Sequence, residues 1–218
     1  MSTRPDKLEM NASDFVVLGE FIPQIVQEIR YYSSFNFVGD RIDGYEEPVA
    51  LLTKEAARAL KAVSNEMMVQ GYRLKIFDGY RPVSAVKHFM LWAIEDQDIR
   101  MKPYFYPDIA KQELFDRGYI AKRSSHSRGS TVDLTLLDMK SGKEVDMGGP
   151  FDLFSELSHP DFKGITDQQY QNRMTLQKAM LRNGFNALDC EWWHFTLANE
   201  PYPDTYFEFP VSSDYLKQ

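Results

Sequence analysis

Apolar positions along the chain recur at two spacings, and the switches between them outline the elements. Leu60, Val63 and Met67 lie on one stripe of helical period, with Thr53 placed to cap it and Gly71 to close it, so a helix is predicted from Thr53 to about Gln70. Leu74 and Ile76 alternate within residues 72–77, which predicts a strand. The turn DGYRP follows, where Asp78, Gly79 and Pro82 force a corner, and a second helix is predicted from Val83 to about Asp96. Arg81 therefore sits at a strand-to-helix corner. Pro103 and Pro107 interrupt the next region, and a short helix from Lys111 to Asp116 is expected to end at Gly118. Val132 to Leu137 reads as a strand. Tyr170, Met174 and Leu181 predict a helix from Thr166 to Asn183, terminated by Gly184, and WWHFTL from Trp192 reads as the last strand. Helices and strands mix without a regular βαβ alternation. The pattern predicts an α+β fold, one domain over residues 1–218, with a central, mainly antiparallel sheet flanked by helices.

Composition narrows the function classes. With 218 residues, 43% of them hydrophobic and 14% aromatic, the chain can fill a sizeable core. A net charge of −7 argues against a nucleic-acid surface, which needs clustered Lys and Arg. No apolar run approaches the roughly 20 residues that cross a bilayer, so no membrane partner is expected. The opening MSTRPDKLEMNASDF lacks the apolar stretch of a signal peptide, and the residues as given predict a cytoplasmic protein. Prior removal of a leader would make it periplasmic instead. A single cysteine, Cys190, excludes an internal disulfide. No motif speaks to the oligomeric state.

Chemistry concentrates in two short stretches. In SSHSRGSTVD, residues 124–133, a Ser- and Gly-rich turn separates His126 from Asp133 and can fold the imidazole back beside the carboxylate. EWWH, residues 191–194, supplies a second imidazole and a second carboxylate. A catalytic zinc takes three protein ligands and keeps a fourth position open, and His126, Asp133 and His194 would fill that requirement with one ion. Side chains three apart on an ideal strand face opposite ways, so Glu191 is expected just before the strand, as a base rather than a ligand. Arg81, held in its corner, is the candidate to stabilise a developing oxyanion.

Structural readings of the same residues stay open on spacing alone. Imidazoles are often simply hydrogen-bonded in place, carboxylates suit turns and caps, and Trp192 and Trp193 suit a core or a pocket wall. His88, within a helix, and His159, before Pro160, are left outside the site. Cys190 adjoins Glu191, whose charge makes it a poor nucleophile. Ser124, Ser125, Ser127 and Ser130 have no G-x-S-x-G elbow around them, which argues against a serine hydrolase.

SSHSRGSTVDLTL and EWWHF together resemble the S-x-H-x-x-G-x-A-x-D and E-x-x-H motifs of the zinc D-alanyl-D-alanine dipeptidases, the VanX type, within the wider D-Ala-D-Ala carboxypeptidase family. DGYRP is similar to that family's arginine loop, and the likeness runs from RYYSSFNFVG at Arg30 through GGPFD at Gly148 to EPYPDTYFEFPV. The resemblance implies a hedgehog/DD-peptidase-like fold and a small D,D-dipeptide as substrate. It also implies that His126, Asp133 and His194 bind zinc, that Glu191 is the general base and later proton donor, and that Arg81 steadies the tetrahedral intermediate. Tyr31, Ser124 and Asp152 fall on the positions that recognise the dipeptide. Two departures stand out: Thr131 replaces a small Ala, and Tyr32 replaces an Ala and is expected to reshape the pocket or its mouth. A carboxypeptidase acting on cell-wall peptides, and a non-catalytic zinc-binding module, are the competing functions. A binding module has no need of Glu191 or Arg81.

Overall fold

The computed structural model describes residues 7–217. In chain order its elements are β1 (Lys7–Glu9), β2 (Phe15–Val17), α1 (Leu18–Phe21), β3 (Val26–Gln27), β4 (Leu51–Thr53), α2 (Lys54–Val69) and β5 (Tyr72–Asp78). There follow α3 (Val83–Ala93), α4 (Lys102–Phe105), β6 (Thr131–Asp138), α5 (Asp167–Arg182), β7 (Phe185–Leu188), β8 (Glu191–Leu197) and β9 (Thr205–Phe207).

The long elements form where the periodicity puts them, and their ends show why. Thr53 Oγ1 accepts from the Ala56 N–H to cap α2, and Gly71 leaves the helix at a φ of 86°. Thr166 and Gln169 close a capping box at the start of α5. Leu60, Val63 and Met67 of α2 and Leu74 and Ile76 of β5 are fully buried, so one hydrophobic stripe of the helix meets one face of the sheet.

That sheet has five strands in the order β3-β5-β6-β8-β7. β5, β6, β8 and β7 pair antiparallel, and β3 joins the edge parallel to β5. α2 packs against β5 and α5, and α5 against β7 and β8. The architecture is α+β with a mainly antiparallel sheet flanked by helices. Two small pairs, β2 with β4 and β1 with β9, sit outside it. Along β6 the fully buried Val132, Leu134 and Leu136 alternate with Thr131, Asp133 and Thr135, so the polar row lies on the opposite face. Among the described residues no helix is long and apolar enough to cross a membrane.

Three sequence expectations need correction. α3 stops at Ala93 rather than near Asp96, because the Glu95 N–H bonds the Trp92 carbonyl at 3.1 Å, an i→i−3 turn that closes the helix at Ile94. Residues 111–116 hold only a single 3-10 turn, Lys111–Glu113. Lys111 is buried there, with Nζ donating to the carbonyls of Glu95 and Asp98, a tertiary tie that no local pattern signals. Glu191 is the first residue of β8 and not a residue before it. The shortest elements, of two to four residues, carry no period long enough to be read.

Candidate active site

Two paired strands and one turn build the site. β6 and β8 run antiparallel with Asp133 opposite His194, so a carboxylate and an imidazole leave neighbouring strands at one level. His126 arrives from the turn before β6. There Ser125–Arg128 makes one 3-10 turn, capped by Ser124 Oγ accepting from the His126 N–H at 3.2 Å. Gly129 ends it at a φ of 81°, and a Cβ at that position would lie 2.3 Å from the Phe15 ring. Only glycine meets both demands. The chain thereby folds back on itself, with His126 Nε2 3.2 Å from Asp133 Oδ2 and 3.3 Å from His194 Nδ1.

The ring orientation of His126 follows from its other nitrogen. Nδ1 lies 2.7 Å from the Gly79 carbonyl, which can only accept, so Nδ1 carries the proton. In the neutral ring Nε2 then presents its lone pair to the site, as second-sphere carbonyls arrange in metal centres. His194 Nδ1 is 3.1 Å from Asp133 Oδ1. The two are not aligned for a hydrogen bond, and that buried oxygen has no hydrogen-bond partner. A buried carboxylate oxygen left so costs about 1–3 kcal/mol, which a cation among the three donors would relieve.

Among the described residues, His126, Asp133 and His194 are the one group of His, Cys, Asp and Glu with ligand atoms within 4.8 Å of one another. Tetrahedral zinc with bonds near 2.0–2.1 Å sets neighbouring ligand atoms about 3.3 Å apart. The 3.3 Å between His126 Nε2 and His194 Nδ1 matches that spacing, and Asp133 turns one oxygen toward each imidazole, Oδ2 at 3.2 Å from His126 Nε2 and Oδ1 at 3.1 Å from His194 Nδ1. Burial pushes the Asp133 carboxyl up, but the two imidazoles outweigh it and hold it well below the usual carboxylate range. Burial lowers the His194 pKa, and Asp133 more than reverses this.

Glu191 stands beside this set, its Oε2 3.4 Å from His194 Nδ1. Side chains three apart on a regular strand would diverge, yet these two converge. The pairing with β7 explains it: Ala187 faces Phe195 but Leu188 faces Glu191, a register break that interrupts the alternation between Glu191 and Phe195. Burial raises the Glu191 carboxyl above its ordinary value, against the pull of His194.

Arg81 is fixed by its own corner. Nε and Nη2 contact Asp78 Oδ2 at 3.0 and 2.9 Å, Asp133 Oδ2 lies 3.8 Å from Nη2, and the guanidinium covers the Tyr31 ring at 4.8 Å. The fully buried Asp78 also accepts from Tyr45 Oη at 2.7 Å on Oδ1. Tyr31 Oη donates to Asp152 Oδ2 at 2.8 Å, and both residues are buried. Burial, reinforced by Asp133, pushes the Asp152 carboxyl well above the ordinary range. Tyr31, Arg81, Ser124, His126, Asp133, Asp152, Glu191 and His194 line one cleft of about 220 Å³.

The ligand, catalytic and substrate-binding candidates of the sequence thus all line one cleft, while His88 pairs with Asp43 and His159 lies against Arg173. Trp192 and Trp193 are buried, Trp193 packing on Phe151. Tyr32 does not line the cleft. Its ring lies under the Arg41 guanidinium at 5.6 Å and adds no wall to the cleft. Thr131 is accommodated by a hydroxyl contact to Thr196 at 2.9 Å across β6 and β8. Sequence reasoning missed Asp78, although it stands three residues from Arg81 in the same motif. It also missed Ser125, whose Oγ is 3.3 Å from His194 Nε2, and the Gly79 carbonyl, which no side-chain pattern can reveal.

Three donors around one point, with an ionisable carboxylate beside them and outside the set, suit a metal-dependent hydrolase, and the family match makes the class a zinc metallopeptidase. The chain belongs to peptidase family M15, since the family model described as D-Ala-D-Ala dipeptidase matches residues 11–212. It is 44% identical to a D-alanyl-D-alanine dipeptidase of Enterococcus faecalis, over 91% of this chain and 98% of that protein. Its identity to a D-alanyl-D-alanine dipeptidase of Streptomyces coelicolor is 41% over the same shares. For one from Escherichia coli it is 32%, over 86% of each chain.

Proposed function

We propose that the protein hydrolyses D-alanyl-D-alanine to two D-alanines, with His126, Asp133 and His194 holding one zinc ion. The observation that carries this reading is the place of Glu191, 3.4 Å from a donor nitrogen yet outside the donor set. Zinc in such a site acidifies water to a pKa near 7 and polarises a carbonyl. Glu191 moves the proton: its carboxylate takes it from the attacking water and returns it to the leaving amine nitrogen. Its raised pKa suits both halves of that task. Arg81, already locked by Asp78, turns a fixed positive charge to the oxygen on which negative charge develops.

The remaining lining residues select the substrate. Asp152 pairs with the dipeptide ammonium, and that cation favours the charged form of a carboxyl whose pKa burial pushes well above its ordinary range. Tyr31 Oη, donating to Asp152 Oδ2, orients it. Ser124 Oγ accepts from the His126 N–H and keeps its own hydrogen for a polar group of the substrate. The cleft of about 220 Å³ falls below the 300–1,000 Å³ typical of larger ligands, in keeping with a two-residue substrate.

Incubation with D-alanyl-D-alanine, with and without a chelator, tests the reading: metal-dependent release of D-alanine is expected. Glu191→Gln should retain the metal and lose roughly 10²–10⁴-fold in turnover. No hydrolysis of any D,D-dipeptide by the metal-loaded protein would sink the proposal, and release of D-alanine from a pentapeptide instead would make it a carboxypeptidase.

A further inference from the structure

A buried arginine contacts the segment that carries Asp152, and the proposed chemistry does not use it. Arg173 projects from α5, is 1% exposed, and meets main-chain carbonyls rather than a carboxylate. Nε donates to the Met147 carbonyl at 2.6 Å, Nη1 to that of His159 at 2.6 Å, and Nη2 to that of Leu157 at 2.9 Å. Burial lowers its pKa to about 10, which leaves it a cation at neutral pH. Those carbonyls stand at the two ends of the segment 147–159, and Asp152 stands in its middle. Next to Arg173, Asn172 Nδ2 donates to the Asp146 carbonyl at 2.8 Å, where the segment begins.

Asp152 needs such support. It is the one described non-glycine residue with a positive φ, 60°, a conformation that costs an L-residue roughly 1–2 kcal/mol. Strain of this kind persists only where the surroundings over-determine the backbone. Phe151, stacked on Phe77 at 4.6 Å, the Tyr31 hydroxyl, and the Phe154 N–H donating to the Phe105 carbonyl at 2.7 Å hold the middle of the segment, while side chains of α5 tie its ends. One planar guanidinium reaching three carbonyls sets the span between them.

We infer that Arg173, assisted by Asn172, is a positioning residue for the amino end of the substrate: it pins both ends of the 147–159 segment and thereby presents Asp152 to the dipeptide ammonium. The inference rests on the proposed function, because it takes Asp152 as the ammonium partner. A lysine in place of Arg173 keeps the charge but cannot reach three carbonyls in one plane.

The test uses the full chain carrying Glu191→Gln, so that bound dipeptide persists. Calorimetric titrations compare D-alanyl-D-alanine with propanoyl-D-alanine, the same skeleton without the ammonium. Adding Arg173→Lys should weaken the dipeptide roughly tenfold and the propanoyl compound less than about twofold, since a displaced Asp152 is felt only by the charged end. Asn172→Ala, which opens no core, should move the same ratio by about threefold and serves if Arg173→Lys does not fold. Leu176→Ala, a core truncation on the same helix, should lower the melting temperature and leave the ratio unchanged. With Glu191 restored, Arg173→Lys should raise KM and keep kcat within about twofold. Equal weakening of both ligands, or no weakening, overturns the inference. Hydrolysis by the unsubstituted protein is scored separately: its absence sinks the functional reading, whereas an unchanged ligand ratio sinks only the clamp.

Discussion

In the corner where β6 pairs with β8, side chains are aimed by main-chain hydrogen bonds. Asp133 and His194 sit opposite one another in a ladder, and a glycine-terminated turn brings in His126. Across the same cleft, the segment from Asp146 to His159 contains no strand, and its backbone is held by side chains of α5, by ring stacking and by one main-chain bond, from the Phe154 N–H to the Phe105 carbonyl at 2.7 Å. On the proposed function, chemistry that tolerates little displacement, the binding of an ion by three atoms, falls on the sheet, and recognition of a charged substrate end falls on a loop that a side chain must secure. The two halves should therefore fail differently.

The sheet corner should give the largest effect. His194→Ala removes one of three donors, and the expected result is loss of stoichiometric zinc by elemental analysis together with at least about a thousandfold loss of activity. Retained zinc with retained turnover would mean that the corner is not the ion's seat. On the loop side, Asp152→Asn should keep the metal and kcat while raising KM roughly 10- to 100-fold, the value of one charge-assisted hydrogen bond. A fall in kcat with unchanged KM would erase the division between the two regions. The smallest effect is in pH dependence. Glu191 must be ionised to take a proton, and its folded pKa is raised, so activity is present above that value and is lost as pH falls through it. The acid limb of kcat/KM should lie above the ordinary glutamate value of about 4.3 and should vanish from the residual activity of Glu191→Gln. An acid limb at or below the ordinary value would argue that the ionisation belongs to another group.

Legibility followed the same division. The long helices, β5, β6 and β8 carry periods of several residues, and Thr53, Gly71, Thr166 and Gly184 mark their ends. Two- and three-residue strands such as β3 and β9 are held by their neighbours and leave no pattern of their own. His126, Asp133, Glu191 and His194 were visible because imidazoles and carboxylates in two short motifs advertise their chemistry. Asp78 and Ser125 were overlooked although they adjoin named residues, because their roles depend on which atoms face one another. Arg173 was invisible, since its partners are carbonyls and every residue has one.

The sequence by itself determined the long elements, the α+β class and the residue types of the site, because hydrophobic period, capping chemistry and metal-donor chemistry are local properties of the chain. Only the tertiary structure decided the roles. The register break between β7 and β8 turns Glu191 and His194 toward the same space, the Gly79 carbonyl sets the His126 ring, and three hydrogen bonds from Arg173 hold the ends of the segment that carries Asp152. Each of these depends on distances between residues far apart in the chain, and spacing along a sequence carries no information about such distances.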